Sequence, residues 1–173
     1  KAEGAMDERV ALKITRQIAE AMRYAWDKYK ILHRDIKSSN IMLEKDGTPM
    51  VMDMGISKSL TEDVSLTMTG AFVGSPGFMS PEQAQGDKDV DYRSDMYSLG
   101  ATLYNMVTGK YAYQGATAMN IIAKQISQPP TDCQKVNPNV SNSCKALIDK
   151  MMAIDRDDRF DSWEECMDAI DQL

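Results

Sequence analysis

The sequence has few of the residues that build disulfide frameworks and metal centres. It contains three cysteines, an odd number at well-separated positions, and a single histidine among 173 residues. The cysteines form neither a CxxC pair nor a disulfide framework, so we expect reduced thiols in a cytoplasmic setting. One histidine excludes a metal site that is built from several histidine ligands.

Basic residues are in the minority, and long apolar runs are lacking. The chain has 20 lysine and arginine residues against 26 aspartate and glutamate residues, and its formal net charge is −6. That sign disfavours a domain that wraps the phosphate backbone of nucleic acids. No apolar run approaches the roughly 20 residues of a membrane-spanning helix, and the N-terminus does not have the pattern of a signal peptide. Whether a longer parent carries a membrane anchor stays open.

What is present is typical of one globular domain, or of one lobe of a larger domain. Hydrophobic residues make up 43% of the chain and charged residues 27%, which is an ordinary globular balance. The first residue is Lys1 rather than methionine, and a helical pattern follows within a few residues. We therefore expect a piece of a longer protein. The fourteen methionines are interpreted as flexible core filler rather than as ligands.

The spacing of apolar residues predicts a mainly helical chain with one small β-hairpin. Five segments have helical periodicity: residues 7–29, 94–108, 116–127, 141–153 and 161–173. The short apolar pieces 41–43 and 50–52 flank a turn sequence and predict the hairpin. Residues 55–77 are rich in serine, threonine and glycine, which is typical of a long loop. Ser162-x-x-Glu165 predicts a capping box for the last helix.

One stretch before the hairpin, together with an aspartate after it, holds the groups that phosphoryl transfer requires. That reaction needs a carboxylate to orient a hydroxyl, a cation to neutralise phosphoryl oxygens, and oxygen ligands for Mg²⁺. Asp35, Lys37 and Asn40 lie in one predicted loop, and Asp53 follows the hairpin. A lone aspartate in a loop is usually a turn former or a surface charge. The interpretation therefore depends on the spacing of all four residues.

These motifs resemble those of the protein kinase superfamily, and specifically of its Ser/Thr branch. His33-Arg34-Asp35-x-Lys37-x-x-Asn40 matches the catalytic loop, and Asp53-Met54-Gly55 stands where the magnesium-binding Asp-Phe-Gly is expected. Three later stretches also match. Residues 74–82 resemble the end of the activation segment, and residues 94–100 resemble the start of a long buried helix. Asp158-Arg159-Phe160 matches a late arginine motif. The sequence of residues 79–86 is most similar to that of bacterial kinases of the eukaryotic type.

The resemblance covers residues 1–173 in order, and it implies both a fold and an activity. The fold is the mainly α large C-terminal lobe of a protein kinase, a helical bundle with a small β-hairpin region that carries the catalytic loop. The activation segment would span about residues 53–82. The complete enzyme would use ATP and Mg²⁺ to phosphorylate Ser or Thr hydroxyls of a protein substrate.

The resemblance also implies roles for individual residues at the ATP and substrate site. Asp35 would accept or orient the proton of the substrate hydroxyl. Lys37 would steady the γ-phosphate, and its position two residues after the aspartate favours Ser/Thr substrates. Asn40 and Asp53 would ligate the Mg²⁺ ions that bridge the ATP phosphates. Met42 would form the apolar floor beneath adenine.

Regulation and support of the loop are implied by further matches. Ser75 replaces the usual threonine whose hydroxyl bonds the catalytic aspartate and lysine, and because it keeps the hydroxyl, it would have the same role. Arg34 directly precedes the catalytic aspartate, which in this family indicates control by phosphorylation of the activation segment, with Thr67 and Thr69 as candidate sites. The alternative is that these hydroxyls only fill a loop. Four further residues would have structural roles. Asp95 would cap the backbone of the catalytic loop, and His33 would support that loop. Glu82 and Arg159 would form a buried ion pair.

No part of the sequence matches the glycine-rich loop, the strand lysine or the helix glutamate of the family's small N-terminal lobe, which precedes the matched segment. We therefore expect the 173-residue chain alone to have negligible kinase activity and weak affinity for ATP. A surface that includes Met42 and Met52 would face the missing lobe. Because exposed apolar surfaces favour association, we expect the chain to self-associate through it. The main alternative is a pseudokinase or scaffold module that binds protein partners. An unrelated helical adaptor is the third hypothesis.

Overall fold

The computed structural model describes residues 4–53 and 76–173. Within these residues the chain forms seven helices and one two-stranded sheet: α1 Glu8–Tyr29, β1 Ile41–Leu43, β2 Pro49–Val51, α2 Pro81–Gln85, α3 Tyr92–Thr108, α4 Ala118–Ser127, α5 Cys133–Val136, α6 Asn142–Met151 and α7 Trp163–Asp171. Short 3₁₀ turns lie at Ser38–Asn40, Pro76–Phe78 and Arg156–Asp158. The predicted mainly α fold with a small hairpin is confirmed.

Helix α3 is the centre of the hydrophobic core. Helices α1 and α6 both pack against it, and side chains on every face of α3 are buried, among them Tyr97, Leu99 and Leu103. Gly100 is the point of closest approach to α6, because a Cβ atom built there would lie 2.7 Å from the Cβ of Met151. Only glycine therefore allows these two helices to pack at this distance.

Helix α1 delivers the chain to the predicted catalytic loop. Its N-cap Asp7 accepts hydrogen bonds from the backbone N–H groups of Arg9 and Val10. The helix ends at Tyr29, and its C-cap is Lys30, whose φ of 52° is left-handed and whose N–H donates to the carbonyl oxygens of Ala25 and Trp26. After this turn the chain contacts α3, through the bonds of His33 and Arg34 to Asp95 and of Ser38 to Asn105.

The β-hairpin follows the loop and brings its two ends together. Strands β1 and β2 are antiparallel, with Ile41 opposite Val51. Pairing continues one residue further, because the N–H of Met52 donates to the carbonyl oxygen of Asn40 at 2.7 Å. The residue after Met52 is Asp53, so the hairpin places this aspartate beside the end of the loop.

The structure contains two short helices that were not predicted, and one predicted helix cap differs from the observed one. Helices α2 and α5 were not predicted, because helices of five and four residues are too short to show a period. In the capping box predicted for α7, the N–H of Glu165 does donate to Ser162 Oγ at 3.0 Å. The Glu165 carboxylate, however, accepts from the N–H of Asp161 at 2.9 Å, so the reciprocal bond reaches one residue too far. A complete box occurs instead at α2, between Ser80 and Gln83.

The described part of the chain contains no obvious membrane or metal element. In residues 4–53 and 76–173, no helix has the length and apolar character required to cross a bilayer. Across the same residues, no group of three or more His, Cys, Asp or Glu side chains is arranged to hold a metal ion. The three cysteines are free and buried.

The buried thiols should make the fold sensitive to alkaline pH. Burial raises the pKa of Cys133 to about 11 and those of Cys144 and Cys166 to about 12, whereas an unfolded thiol titrates near about 8.5. The unfolded state therefore loses its protons first, and stability is full below about pH 8.5 and falls as the pH rises toward 12. We expect the thiol of Cys166 to account for a loss of about 2–3 kcal/mol in unfolding free energy by about pH 10.5.

Urea unfolding followed by circular dichroism across this pH range measures that loss. The variant Cys166→Ala removes one thiol, so its unfolding free energy should fall less steeply with pH than that of the wild type. Equal slopes for the two proteins would contradict the assignment to the thiol and would leave buried tyrosines, such as Tyr104 with its raised pKa of about 12, as the cause.

Candidate active site

The loop of residues 31–40 is anchored by a buried carboxylate on α3. Asp95 is only 3% exposed, and its two oxygens accept from the backbone N–H groups of His33 at 2.7 Å and Arg34 at 2.8 Å. Burial raises the pKa of Asp95, and the two N–H donors act in the opposite direction. Arg34 has a left-handed φ of 65°, which is unfavourable for a side chain with a Cβ. Asp95 holds the backbone in this conformation.

His33 connects the loop to the end of the hairpin. Its side chain is buried, and Nδ1 accepts from the backbone N–H of Asp35 at 3.2 Å. Nε2 lies 3.1 Å from the carbonyl oxygen of Met52, and because Nδ1 is an acceptor, the ring hydrogen is assigned to Nε2. Both ring nitrogens are thus engaged by the backbone, one in the catalytic loop and one at the end of the hairpin.

Asp35, Lys37 and Asn40 form one hydrogen-bonded cluster. The Nζ of Lys37 lies 3.0 and 2.8 Å from the two carboxylate oxygens of Asp35. The Nδ2 of Asn40 donates to the carbonyl oxygen of Asp35 at 2.9 Å and to its Oδ2 at 3.0 Å. Ile36 is fully buried between them, so in this extended stretch the flanking Asp35 and Lys37 point away from the core. The exposed fraction of the side chain is 21% for Asp35 and 16% for Lys37.

Asp53 follows the last paired residue of the hairpin, Met52. Its position is set by the bond from the N–H of Met52 to the carbonyl oxygen of Asn40, and its own φ of 57° is left-handed. Asp53 is exposed. Since the Asn40 amide nitrogen is used by Asp35, the Oδ1 of Asn40 remains as its acceptor atom. An amide oxygen and a carboxylate are hard oxygen donors of the kind that Mg²⁺ takes, so these two residues fit that ion.

Two polar contacts to the loop come from residues that the sequence analysis did not single out. Ser38 Oγ donates to Asn105 Oδ1 of α3 at 2.6 Å, and Asn105 Nδ2 donates to the carbonyl oxygen of Lys110 at 3.1 Å. Gln83 of α2 donates from Nε2 to the carbonyl oxygen of Arg34 at 3.2 Å. The partners lie 67 and 49 residues apart in the chain, so no local motif indicates them.

Glu82 and Arg159 form a buried bidentate ion pair. The two guanidinium nitrogens of Arg159 lie 2.7 and 2.9 Å from the two carboxylate oxygens of Glu82, and the side chains are 0% and 8% exposed. Arg159 also donates to the carbonyl oxygens of Ala153 at 2.9 Å and Arg93 at 2.8 Å. Its guanidinium carbon lies 5.0 Å from the ring centre of Tyr97. The pair therefore ties α2 to the turn before α7.

Other residues named from the sequence lie either outside the described part of the chain or on the hairpin. Met54, Thr67, Thr69 and Ser75 lie outside the described residues, and their assignments stay predictions. Met42 is on β1, where its side chain is 54% exposed. The neighbouring Leu43, Met50 and Met52 are between 39% and 47% exposed, so the hairpin presents a largely apolar surface next to the cluster.

The anchor at Asp95 can be tested by removing one of its two acceptor oxygens. In Asp95→Asn, the amide nitrogen must face a backbone N–H donor, which leaves a buried donor without an acceptor. We expect the free energy of unfolding to fall by about 1–3 kcal/mol, as measured by urea denaturation. The matched control Asp27→Asn changes an exposed aspartate on α1 and should be neutral. A neutral result at Asp95 as well would show that the two hydrogen bonds do not stabilise the loop.

Comparison with known proteins finds matches along the whole chain. A family model described as the protein kinase domain matches residues 1–169. A probable serine/threonine-protein kinase of Clostridium perfringens is 35% identical over 173 residues, which are 100% of this chain and 25% of the relative. Serine/threonine-protein kinase PknB of Mycobacterium leprae is 31% identical over 163 residues, 94% of this chain and 26% of the relative. A probable serine/threonine-protein kinase of Clostridium acetobutylicum is 36% identical over 157 residues, 91% and 23% of the two chains. The chain spans about a quarter of the length of these curated relatives.

Proposed function

The chain belongs to the protein kinase family, and on that premise we propose that its 173 residues are the C-terminal lobe of a kinase that transfers the γ-phosphoryl group of ATP to Ser or Thr hydroxyls of proteins. One observation carries this proposal. The carboxylate of Asp35 lies within 3.0 Å of both the ammonium group of Lys37 and the amide nitrogen of Asn40, and Asp53 follows the paired end of the hairpin. A module that only binds partners has no physical need for this set.

Each of these residues has a distinct part in the proposed reaction. The substrate hydroxyl oxygen forms a bond to the γ-phosphorus, the bond from that phosphorus to the bridging oxygen of ADP breaks, and the hydroxyl proton passes to the Asp35 carboxylate. Lys37 supplies positive charge to the moving phosphoryl oxygens. Asn40 and Asp53 would hold Mg²⁺, which when bound neutralises charge on the phosphate oxygens.

The ion pair between Lys37 and Asp35 suits the proposed role of Asp35 as the proton acceptor and that of Lys37 as the cation beside the phosphoryl oxygens. With its Nζ 2.8 Å from Asp35 Oδ2, the ammonium group already stands where a phosphoryl oxygen and the catalytic carboxylate would approach each other. The Nδ2 of Asn40 also donates to this Oδ2 atom, at 3.0 Å. The side chain of Asp35 is therefore oriented before any substrate binds, which is the kind of preorganisation that favours phosphoryl transfer.

Regulation and cellular setting belong to the same proposal. Phosphorylation at Thr67 or Thr69 would add a charge of about −1.5 to −2, for which Arg34 at the start of the catalytic loop is the expected partner. The reduced thiols suit a cytoplasmic location. Since ATP lies between two lobes in this family, we further propose that these 173 residues alone have negligible activity, and that the exposed hairpin surface around Met42 contacts the small lobe or a second copy of the chain.

A chimera tests the proposed function directly. The segment that precedes the matched region in the Clostridium perfringens relative would be fused to residues 1–173, and transfer of radiolabelled phosphate from ATP to myelin basic protein would be measured with Mg²⁺. We expect phosphorylation of serine or threonine by the chimera and none above background by the 173-residue chain alone. A folded chimera that binds ATP but transfers no phosphate would favour the pseudokinase alternative. Activity of the isolated chain would contradict the requirement for a second lobe.

A further inference from the structure

A second candidate site lies on a different part of the molecule from the catalytic loop. A groove of about 680 Å³ runs between the connection from α4 to α5, the outer face of α6 and the turn that follows α6. The apolar part of its lining that is partly exposed includes Pro130, Ala153 and Ile154. No residue of the catalytic loop or the hairpin lines it, so the groove lies apart from the candidate active site.

The rim of this groove has a strong excess of negative charge. Among the described residues that line it, four are aspartates and one is a lysine: Asp132, Asp149, Asp155, Asp158 and Lys145. The Nζ of Lys145 is bonded to Asp149 on the next turn of α6, so its charge is balanced within the helix. Arg156 follows Asp155 directly in the chain, and its guanidinium group donates to the carbonyl oxygen of Asp89 at 2.6 Å.

Two of the rim carboxylates are held in place by the backbone. Asp132 Oδ1 accepts from the N–H of Gln134 at 2.9 Å, and Asp155 Oδ1 accepts from the N–H of Asp157 at 2.9 Å. These bonds fix both side chains at the start of short helical turns. The Oδ2 atoms of the two carboxylates remain as acceptors for a positively charged group, and little side-chain entropy would be lost on binding.

From this combination we propose that the groove binds a basic protein segment in which lysine or arginine side chains flank an aliphatic one. The cationic groups would meet the aspartates of the rim, and the aliphatic side chain would lie on Pro130 and Ile154. Charge complementarity of this kind favours a cationic partner and disfavours an acidic one. The apolar lining distinguishes such a segment from a simple polyamine or metal ion, which would leave that surface exposed to water.

Fluorescence anisotropy with defined peptides tests the proposal on the 173-residue chain. The probe is a fluorescein-labelled peptide with the sequence Arg-Leu-Arg-Leu-Arg, and the control peptides replace its leucines by serine or its arginines by glutamate. We expect saturable binding of the probe, at least fivefold weaker binding of the serine peptide and none of the glutamate peptide. Binding should weaken several-fold when the salt concentration rises from about 50 to about 500 mM, because exposed charges are screened.

Variants of the protein locate the peptide on the groove. Each of Asp132→Asn and Asp158→Asn should weaken binding of the probe roughly fivefold, as expected for the loss of about 1 kcal/mol of charge attraction. Ile154→Ser should weaken binding of the leucine-containing probe but should leave binding of the serine peptide unchanged. The control Asp168→Asn removes the same charge from α7, outside the groove, and should bind as the wild type does.

Several outcomes would overturn the proposal. They are the absence of saturable binding, equal binding of the leucine and serine peptides, and equal effects of the groove variants and Asp168→Asn. Sedimentation of the wild type and of Asp132→Asn checks the other occupant. A dimer of the wild type that the substitution dissociates, without any peptide binding, would show that a second copy of the chain covers the groove.

Discussion

In the two-lobe chimera, Asp35→Asn should lower kcat for protein phosphorylation by about 100- to 10,000-fold, the range expected when a general base is removed. Asparagine has nearly the same shape as aspartate and can still accept a hydrogen bond from Asn40, but it cannot take the hydroxyl proton. It also removes the negative partner of Lys37. The KM for ATP should change little, because Asp35 acts on the substrate hydroxyl rather than on the nucleotide.

The control for this variant must separate catalysis from folding. Asp87→Asn changes an exposed aspartate just after α2 and should keep full activity. Thermal melting should give similar midpoints for wild type, Asp35→Asn and Asp87→Asn. If Asp35→Asn retains activity within tenfold of the wild type while remaining folded, Asp35 is not the catalytic base and the proposed mechanism is wrong.

Arg159→Met should have the largest effect on stability, a loss of about 3–5 kcal/mol in the free energy of unfolding. The substitution leaves the carboxylate of Glu82 buried without its positive partner. It also removes the donor to the carbonyl oxygens of Ala153, Arg93 and Ile154. Urea denaturation at neutral pH measures the loss. Should Arg159→Met fail to fold, Arg159→Lys, which keeps the charge but not the bidentate geometry, should be destabilised measurably but less.

Two further variants assign this loss to the ion pair. Arg9→Met changes an exposed arginine on α1 and should alter stability by no more than about 0.5 kcal/mol. The double variant Glu82→Gln with Arg159→Met should be more stable than Arg159→Met alone, because it no longer buries an unpaired carboxylate. If the two losses simply add, the carboxylate and the guanidinium group do not interact energetically.

The elements of the fold that could be predicted from the sequence are those with strong local signals. Helix α3 shows a broad apolar stripe and ends where Gly109 adopts a left-handed φ of 68°. The turn of the hairpin was indicated by Gly47, whose φ is 86°. The strand predicted at residues 50–52 begins and ends one residue earlier, at Pro49–Val51. Such small shifts occur because periodicity identifies an element more sharply than it identifies the ends.

The parts of the site that escaped prediction depend on contacts between distant residues. The spacing of Asp35, Lys37 and Asn40 in one loop was enough to predict that they act together, and the structure places them in one cluster. The bonds from Gln83 to Arg34 and from Ser38 to Asn105 join separate elements, and each partner alone is an ordinary polar residue. The acidic groove is similar, because its walls come from the residues before α5 and from the turn after α6. Only the packing of these elements against one another brings the aspartates together.

The central claim is that Asp35, Asn40 and Asp53 surround the point where the terminal phosphate of ATP is transferred. A crystal structure of the two-lobe chimera with Mg²⁺ and a non-hydrolysable ATP analogue tests it most directly. The account predicts an ion bound by Asn40 Oδ1 and an Asp53 carboxylate oxygen at about 2.1 Å, with the Asp35 carboxylate within hydrogen-bonding distance of the acceptor position beyond the γ-phosphate. An ion held by other side chains, or an Asp35 carboxylate turned away from the γ-phosphate in an ordered lobe, would contradict the account.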